Sequence, residues 1–170
     1  MIRYAQVADL AAILDIYNDA ILDTTSVYYY EARTIQDRLS WYEKKVRDGL
    51  PVLVFEENSH VIGFATFGPF RARPAYKYTV EHSVYVHKHH RGKGVGTRLM
   101  IELIKIANET GYATMVAGID SNNEVSRIMH ENLGFTNCGT IERVGYKFGK
   151  WLDLTFYRYE LRGPKTPKEE

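Results

Sequence analysis

The chain has 170 residues, and its 22 lysines and arginines nearly balance its 21 aspartates and glutamates, which argues against binding nucleic acid or an anionic membrane through overall charge. A chain of this length can bury a core large enough to fold as one domain without covalent staples. The only cysteine, Cys138, can form no internal disulfide and leaves no thiolate cluster for zinc. We therefore predict a reducing compartment, the cytoplasm, and no bound metal.

We expect neither an export signal nor a membrane span in this sequence. The first nine residues lack the basic and apolar pattern of a secretion signal, and no run of about 18 apolar residues occurs in the sequence, so we expect no membrane partner. Residues 162–170 are rich in proline, lysine and glutamate and are predicted to form a flexible tail. Residues 1–161 are predicted to form a single domain.

The first half of the chain predicts a strand, two helices and an antiparallel hairpin, in that order, at residues 2–5, 9–21, 34–46, 51–55 and 60–67. Both helices begin at a residue whose side chain can cap free N–H groups, Asp9 and Thr34, and apolar residues then recur at helical spacing. In the second helix the apolar residues are Ile35, Leu39, Trp41 and Tyr42. An aromatic loop, Val27 to Tyr30, separates the two helices.

The second half of the chain predicts alternating strands and helices that end in another hairpin. A helix separates the first two of these strands, which should therefore lie parallel in a right-handed crossover. The predicted strands are residues 78–86, 112–119, 135–146 and 151–161, and the predicted helices run from the glycine-rich segment 91–96 to Gly111 and over residues 123–132.

The sharpest signal in the sequence is Arg91-Gly92-Lys93-Gly94-Val95-Gly96, which follows a predicted strand and opens a helix. Glycines allow several backbone N–H groups to converge on one point, and the positive end of a helix attracts a phosphate. A tight turn without a ligand is the alternative, but the two cations favour a binding site. Neither the P-loop pattern nor an early dinucleotide-binding pattern is present. We therefore predict a pyrophosphate site whose ligand extends back along the preceding strand.

This run resembles the acyl-CoA pyrophosphate loop of the GNAT superfamily of N-acetyltransferases. Residues 69–76, 79–86 and 144–151 resemble one branch of it, the phosphinothricin acetyltransferase-like enzymes, and the likeness extends from Ile2 to Leu161. It departs from that branch in the aromatic loop. The resemblance implies an α/β (α+β) fold with a mixed, mostly antiparallel twisted sheet flanked by helices. It also implies acetyl-CoA as co-substrate, bound where a parallel strand pair splays apart.

Formation of an amide from an amine and a thioester requires a base for the amine, and Glu81 resembles the general base of this branch in position and type. The alternative is an ordinary glutamate that faces solvent from a strand. His82 is adjacent and should point to the opposite face, so we interpret it as structural.

The resemblance also implies a set of cofactor-binding residues. The backbone of the strand after Glu81 would pair with pantetheine, the glycine-rich loop would hold the pyrophosphate, and Asn123 resembles an asparagine that contacts the cofactor arm, although it can equally cap a helix. The predicted cofactor-binding residues are Val84, Tyr85, Val86, Arg91, Gly92, Lys93, Gly94, Val95, Gly96, Asn123 and Ser126.

Two further sets of side chains are candidates for the site. His130 stands where many superfamily members carry a tyrosine that protonates the thiolate, so it is the candidate general acid, although a buried histidine that only supports its helix is an equal alternative. Arg71, Arg73 and Tyr76 precede the Glu81 strand and suit a substrate carboxylate or phosphinate. Their alternative is an exposed, solvated turn.

The leading hypothesis is acetylation of the amino group of a small amino-acid-like molecule, for which the resemblance implies phosphinothricin, methionine sulfoximine or methionine sulfone. Acetylation of protein N-termini or lysines stays open, and so does a non-catalytic acyl-CoA sensor. Aromatic and arginine-rich loops near Glu81 favour a small zwitterion over a peptide. The final hairpin carries Phe148 and Trp151 near a strand edge, which is consistent with the homodimer that the resemblance also implies.

Overall fold

The structure is a computed structural model that describes residues 1–169. Its seven strands form one sheet in the order β1-β2-β3-β4-β5-β7-β6. The strands are β1 Ile2–Tyr4, β2 Val52–Glu57, β3 His60–Pro69, β4 Thr79–Val86, β5 Thr114–Asp120, β6 Thr136–Lys147 and β7 Lys150–Glu160. The α-helices are α1 Leu10–Asp23, α2 Ile35–Arg47, α3 Val95–Glu109 and α4 Glu124–Leu133.

The sheet is mixed, as the sequence predicts. Strand β4 pairs with β5 in parallel, from Thr79 opposite Thr114 to Glu81 opposite Val116. The pairs β1–β2, β2–β3, β5–β7 and β6–β7 are antiparallel. The predicted parallel crossover and both predicted hairpins are therefore confirmed.

The chain divides into two compact units, which are described separately. The first unit consists of residues 1–66 and 83–103, and the second begins with residues 67–82 and continues from Ile104. The core of the first unit joins apolar side chains of α1 to the inner residues of β2 and β3. These buried side chains are Leu10, Ile13, Ile16, Val52, Val54 and Phe64.

Both helix starts of the first unit lie where the sequence predicts them, but the two capping residues act differently. Thr34 caps α2, because its Oγ1 accepts a hydrogen bond from the Asp37 N–H at 3.1 Å. Asp9 stands at the cap position of α1 but caps nothing there. Its carboxylate instead accepts hydrogen bonds from Arg3 Nη1 at 2.8 Å and from the Gln6 N–H at 2.7 Å.

The predicted apolar face of α2 is confirmed at three of its four residues, because Leu39, Trp41 and Tyr42 pack against the core of the first unit. Ile35 is 51% exposed, whereas the buried residue of this helix is Arg38. The apolar spacing favours Ile35 for the buried face of α2. A helical pattern taken alone does not show that the side chains packed against α2 can accommodate a buried arginine. The burial of a cation at this position is therefore a finding of the structure.

The second unit is built on the central strand β5 and the long β6–β7 hairpin. The hairpin turn at Phe148 and Gly149 has φ angles of 53° and 73°. The register of β6 against β7 shifts twice, between Asn137 and Thr140 and between Ile141 and Gly145. Almost every residue of β6 is exposed.

The C-terminal residues make local hydrogen bonds within the second unit. The Arg162 N–H donates to Asn108 Oδ1 at 2.7 Å, and the Tyr78 hydroxyl donates to the Lys168 carbonyl at 3.3 Å. The flexible tail over residues 162–170 and the single domain over residues 1–161 stay predictions, and Glu170 lies outside the described residues. No helix within residues 1–169 has the length and apolarity that crossing a membrane requires.

Alanine substitution at Gly63 tests the packing of the first unit. A Cβ atom there would lie 3.1 Å from the Tyr85 carbonyl oxygen and 3.1 Å from Val95 Cγ1, and the carbonyl cannot rotate away. We expect Gly63→Ala to lower the free energy of unfolding by about 1 to 3 kcal/mol, measured by urea denaturation.

Gly118→Ala is the matched control, because a Cβ atom at this strand position would meet its nearest neighbours at 3.5 Å, an ordinary contact. Its unfolding free energy should stay within about 1 kcal/mol of the wild-type value. Equal losses in the two variants would contradict the packing argument.

Candidate active site

Strand β4 presents two kinds of side chain on its two faces. Val80 and His82 are buried, and Glu81 between them is half-buried on the other face. Glu81 lies beside β5, where its Oε1 is 3.5 Å from the position that a Cβ atom of Gly118 would take. A glycine at this point of β5 therefore leaves room around the carboxylate.

The Glu81 carboxylate has no hydrogen-bond or ion-pair partner within the described chain. Burial raises the pKa of Glu81 above its ordinary value of 4.5, and the positive charge of Arg71 offsets part of this shift. A half-buried carboxylate with a raised pKa and no partner is suited to accepting a proton.

His82 and His130 form a hydrogen-bonded pair in the second unit. Their Nε2 atoms are 2.9 Å apart and their rings are within 11° of coplanar, so the rings meet edge to edge. Phe135 packs against both rings at centroid distances of 5.7 and 5.0 Å. His130 is 1% exposed.

The hydrogen bonds assign the tautomers of this pair. His130 Nδ1 lies 2.7 Å from the Ser126 carbonyl oxygen, which can only accept, so Nδ1 carries the proton. In a neutral ring His130 Nε2 is then an acceptor, and it receives the N–H of His82 Nε2. This leaves His82 Nδ1 as a buried nitrogen without a partner.

Both histidines are neutral at neutral pH. Burial lowers the pKa of His82 well below its ordinary 6.5, and the nearby His130 lowers it further. Burial also lowers the pKa of His130, while its bond to the Ser126 carbonyl opposes that shift. The sequence predicts that His82 faces away from Glu81, but it does not predict the pair, because no local pattern links residues 48 positions apart.

The glycine-rich loop has the geometry that a phosphate site needs. Gly92 and Gly94 have φ angles of 73° and 76°, and a Cβ atom at either would meet nothing within 4 Å. Helix α3 begins directly afterwards at Val95. Arg91 Nε donates to the Val86 carbonyl at 3.2 Å, and both loop cations are exposed. The loop therefore combines open backbone, a helix N-terminus and positive charge.

The other predicted cofactor residues lie on β4 and α4. Val84 and Val86 are half-buried, and Tyr85 packs its ring against Tyr17 at a centroid distance of 5.4 Å. Asn123 caps α4, because its Oδ1 accepts the Ser126 N–H at 3.1 Å. The capping interpretation of Asn123 is thus confirmed, and its contact with a cofactor stays a prediction.

The predicted substrate-binding residues lie in an exposed segment of the second unit. Arg71 stacks on Phe70 with its guanidinium 5.0 Å from the ring, and Tyr76 contacts the same ring at a centroid distance of 5.7 Å. Arg73 precedes a single 3₁₀ turn over Pro74–Tyr76. Of these side chains, Arg71 is the one that acts electrostatically on Glu81.

The site residues predicted from the sequence are therefore divided between the two units. Glu81, His130, Asn123, Ser126 and the arginine segment belong to the second unit, and the end of β4 and the glycine-rich loop belong to the first. No cluster of three or more metal-ligating side chains occurs among residues 1–169.

The sequence profile described as "Acetyltransferase (GNAT) family" matches residues 12–135, which include β4, the glycine-rich loop and α4. The chain belongs to the GNAT acetyltransferase family. This confirms the resemblance that the loop sequence indicates, and the fold of this GNAT acetyltransferase is the mixed sheet that the resemblance implies.

Two curated relatives and one solved structure are similar over nearly the whole GNAT chain. The L-methionine sulfoximine/L-methionine sulfone acetyltransferase of Salmonella typhimurium is 49% identical, over 98% of this chain and 97% of its own. The phosphinothricin N-acetyltransferase of Streptomyces viridochromogenes is 38% identical, over 98% and 91%. The protein yncA of Salmonella typhimurium, solved with its cofactor acetyl-CoA, is 47% identical, over 99% of this chain and 97% of its own, with a TM-score of 0.96.

The buried histidine pair predicts a pH dependence of stability. Both pKa values lie below 6.5 in the folded chain, so just below pH 6.5 the unfolded state binds more protons than the folded state. The contribution of the pair to the free energy of unfolding should be constant above about pH 7. Below about pH 6.5 it should fall by on the order of 1 kcal/mol per pH unit for His82, with a further loss from His130. Urea denaturation across this range measures the slope.

Two variants control this prediction. His82→Gln removes one of the buried imidazoles and should give a shallower slope, whereas His60→Gln changes an exposed ring and should leave the slope unchanged. An unchanged slope in His82→Gln would contradict the assignment.

Proposed function

We propose that this protein is an acetyl-CoA-dependent N-acetyltransferase that acts on the amino group of a small amino-acid-like molecule of the methionine sulfone, methionine sulfoximine or phosphinothricin type. The similarity to enzymes named for these substrates supports the proposal, because it covers nearly all of both chains. The observation that carries it is the segment 79–96, in which a strand with an unpartnered carboxylate leads into an open glycine-rich loop and a helix N-terminus.

The glycine-rich loop fits the pyrophosphate of acetyl-CoA. When bound, acetyl-CoA would supply an acetyl group activated as a thioester. The N–H groups at the start of α3 and the side chains of Arg91 and Lys93 would hold the phosphate oxygens. The backbone of Val84 to Val86 would hydrogen-bond the amide groups of the pantetheine arm. Asn123 keeps its Nδ2 group available, since its cap uses only Oδ1.

Glu81 is the proposed general base of a direct transfer. The amino group of the substrate is mostly an ammonium at neutral pH, and the Glu81 carboxylate would take its proton, directly or through a water molecule. The neutral amine nitrogen then bonds to the acetyl carbon as the carbon–sulfur bond breaks. The raised pKa of Glu81 supports this role because a more basic carboxylate is a better proton acceptor.

His130 is the proposed donor of the proton that the departing sulfur requires. In the tautomer described above, its proton lies on Nδ1 and points at the Ser126 carbonyl. The role therefore requires a second proton on Nε2, against the lowered pKa of this ring. It also requires His82 to carry its own proton on Nδ1, because the two Nε2 atoms, 2.9 Å apart, cannot both donate to each other. His130→Asn tests it: the rate of thiol release should fall more than the rate of any step before transfer, which single-turnover kinetics separate.

Arg71, Arg73 and Tyr76 are proposed to contact the substrate. The electrostatic effect of Arg71 on Glu81 supports this role, because a cation near the base also attracts an anionic substrate. Replacement of Arg71 by glutamine should raise KM more than it lowers kcat, measured with the substrate panel described next.

Release of free CoA tests the proposed function. Wild-type protein is supplied with acetyl-CoA and a panel of L-methionine sulfone, L-methionine sulfoximine, phosphinothricin, ordinary amino acids and a short peptide. We expect turnover of the small analogues, and Glu81→Gln should lower kcat about 100-fold or more, because it removes the general base. Calorimetry should show that Glu81→Gln still binds acetyl-CoA.

Glu109→Gln, an exposed acid at the end of α3, is the matched control and should keep full activity. Turnover of the peptide alone would favour a protein acetyltransferase. Binding of acetyl-CoA without turnover of any amine would favour an acyl-CoA sensor. Full activity in Glu81→Gln would refute the assignment of the base.

We also propose a homodimer. The β6–β7 hairpin exposes large apolar side chains along its length, and a cluster of this kind is typical of a protein interface. These side chains are Ile141, Val144, Tyr146, Phe148 and Trp151. Light scattering should give about twice the chain mass of 19.6 kDa for the wild type.

Phe148→Glu should shift this protein toward the monomer, because it places a charge in the apolar cluster. Ile101→Glu places the same charge at an equally exposed apolar position on α3 and should leave the mass unchanged. A wild-type protein that is monomeric at all concentrations would overturn the proposed homodimer.

A further inference from the structure

A cavity of about 200 Å³ lies in the first unit, next to helices α1 and α2. It is smaller than the pockets of drug-sized ligands, which measure about 300 to 1,000 Å³. Its walls include the aromatic side chains of Tyr17, Trp41 and Phe64, the guanidinium of Arg38, and Ser83 of strand β4. The cavity therefore combines apolar surface with one buried cation.

Arg38 is the unusual member of this cavity. It is 6% exposed, and its guanidinium carbon lies 4.2 Å from the centre of the Tyr17 ring and 4.3 Å from that of Trp41. Its Nε is buried without a hydrogen-bond partner. Within residues 1–169, no carboxylate forms a salt bridge with Arg38.

The other arginine of the cavity differs, because Arg33 pairs with Asp37 at 3.4 Å. Arg38 thus has no salt bridge within the described residues, although it hydrogen-bonds the Tyr17 side chain and acts electrostatically on Asp37. Burial of an unpaired charge is costly, and two aromatic faces offset only part of that cost. A guanidinium presents several N–H donors in one plane and matches a carboxylate in a bidentate arrangement.

We propose that Arg38 binds the α-carboxylate of the amino-acid-like substrate, and this inference rests on the proposed function. Ser83 lines the cavity and follows Glu81 by two residues on β4, so the two side chains lie on the same face of that strand. A sulfone oxygen is a poorer ligand for Arg38 than a carboxylate, because a sulfone carries no net charge to neutralise the guanidinium.

Binding of the carboxylate by Arg38 would let the enzyme distinguish substrates that have a free α-carboxylate from those that do not. A free amino acid carries its amino group and its carboxylate on the same carbon. The N-terminal residue of a peptide has the amino group but holds its carboxyl carbon in an amide. Arg38 would therefore select free amino acids and their analogues over peptides and simple amines.

Calorimetric titration of the full chain tests this proposal with two ligands that differ in one group. The first is L-methionine sulfone, and the second is its decarboxylated analogue, 3-(methylsulfonyl)propylamine. We expect wild-type protein to bind the amino acid at least about tenfold more tightly, as expected for a charge-assisted pair. Arg38→Gln should abolish this preference, because it weakens binding of the amino acid and leaves binding of the amine within about twofold.

The design includes three further variants. Arg38→Met keeps the apolar volume and replaces the glutamine variant if that one does not fold. Arg47→Gln changes an exposed arginine of the same helix and should keep the preference. Addition of the amino acid should change the tryptophan emission of the wild type but not that of Trp41→Phe, which locates the ligand in this cavity.

Three results would overturn the proposal: equal weakening of both ligands by Arg38→Gln, no effect on either ligand, or no binding of L-methionine sulfone by the wild type. Its failure is distinguishable from failure of the proposed function. Binding with the expected preference but without CoA release would leave the Arg38 assignment standing and refute the acetyltransferase activity. CoA release in the presence of the amino acid, together with an unchanged preference for the amino acid in Arg38→Gln, would support the acetyltransferase activity and refute the Arg38 assignment.

Discussion

The two-residue period of strand β4 is the constraint on which the site depends. Val80 and His82 are buried on one face, and this burial holds Glu81 on the other. A shift of the strand register by one residue would turn the Glu81 carboxylate toward Phe135 and expose the His82 imidazole. The carboxylate would then lie in apolar surroundings, and the histidine would lose its buried partner. The parallel pairing with β5 holds the same register by backbone hydrogen bonds. A buried histidine thus helps to orient an acid that it does not touch.

The buried histidine pair and the buried Arg38 are accommodated in different ways. The imidazoles of His82 and His130 lose their charge, because the lowered pKa values leave both rings neutral and able to share one hydrogen bond. Burial lowers the pKa of Arg38, but its guanidinium keeps its charge at physiological pH, because an arginine loses its proton only far above that range. It is stabilised by two aromatic faces and retains capacity for an anion. The neutral histidine pair therefore carries no charge for a ligand to neutralise, whereas Arg38 does.

The sequence predicts the local features of this protein well because they depend on near neighbours. Helical periodicity, the Thr34 cap and the glycines of the loop each involve residues within one or two turns of one another. The features it does not predict depend on distant residues. Arg38 is buried because Tyr17 supplies a ring from another helix, and Asp9 bonds Arg3 instead of capping its helix. The apolar pattern alone favours Ile35 for the interior.

The irregular hairpin also limits how the sheet can associate. Strand β6 lies at one end of the strand order, and an exposed edge of twelve residues offers a template on which strands of other molecules can add without limit. The two register shifts of β6, together with the positive φ of 53° at Arg143, bend this edge and interrupt its row of backbone groups. The edge therefore resists the regular strand addition from which fibrils grow, while its side chains remain available for a contact that closes on itself.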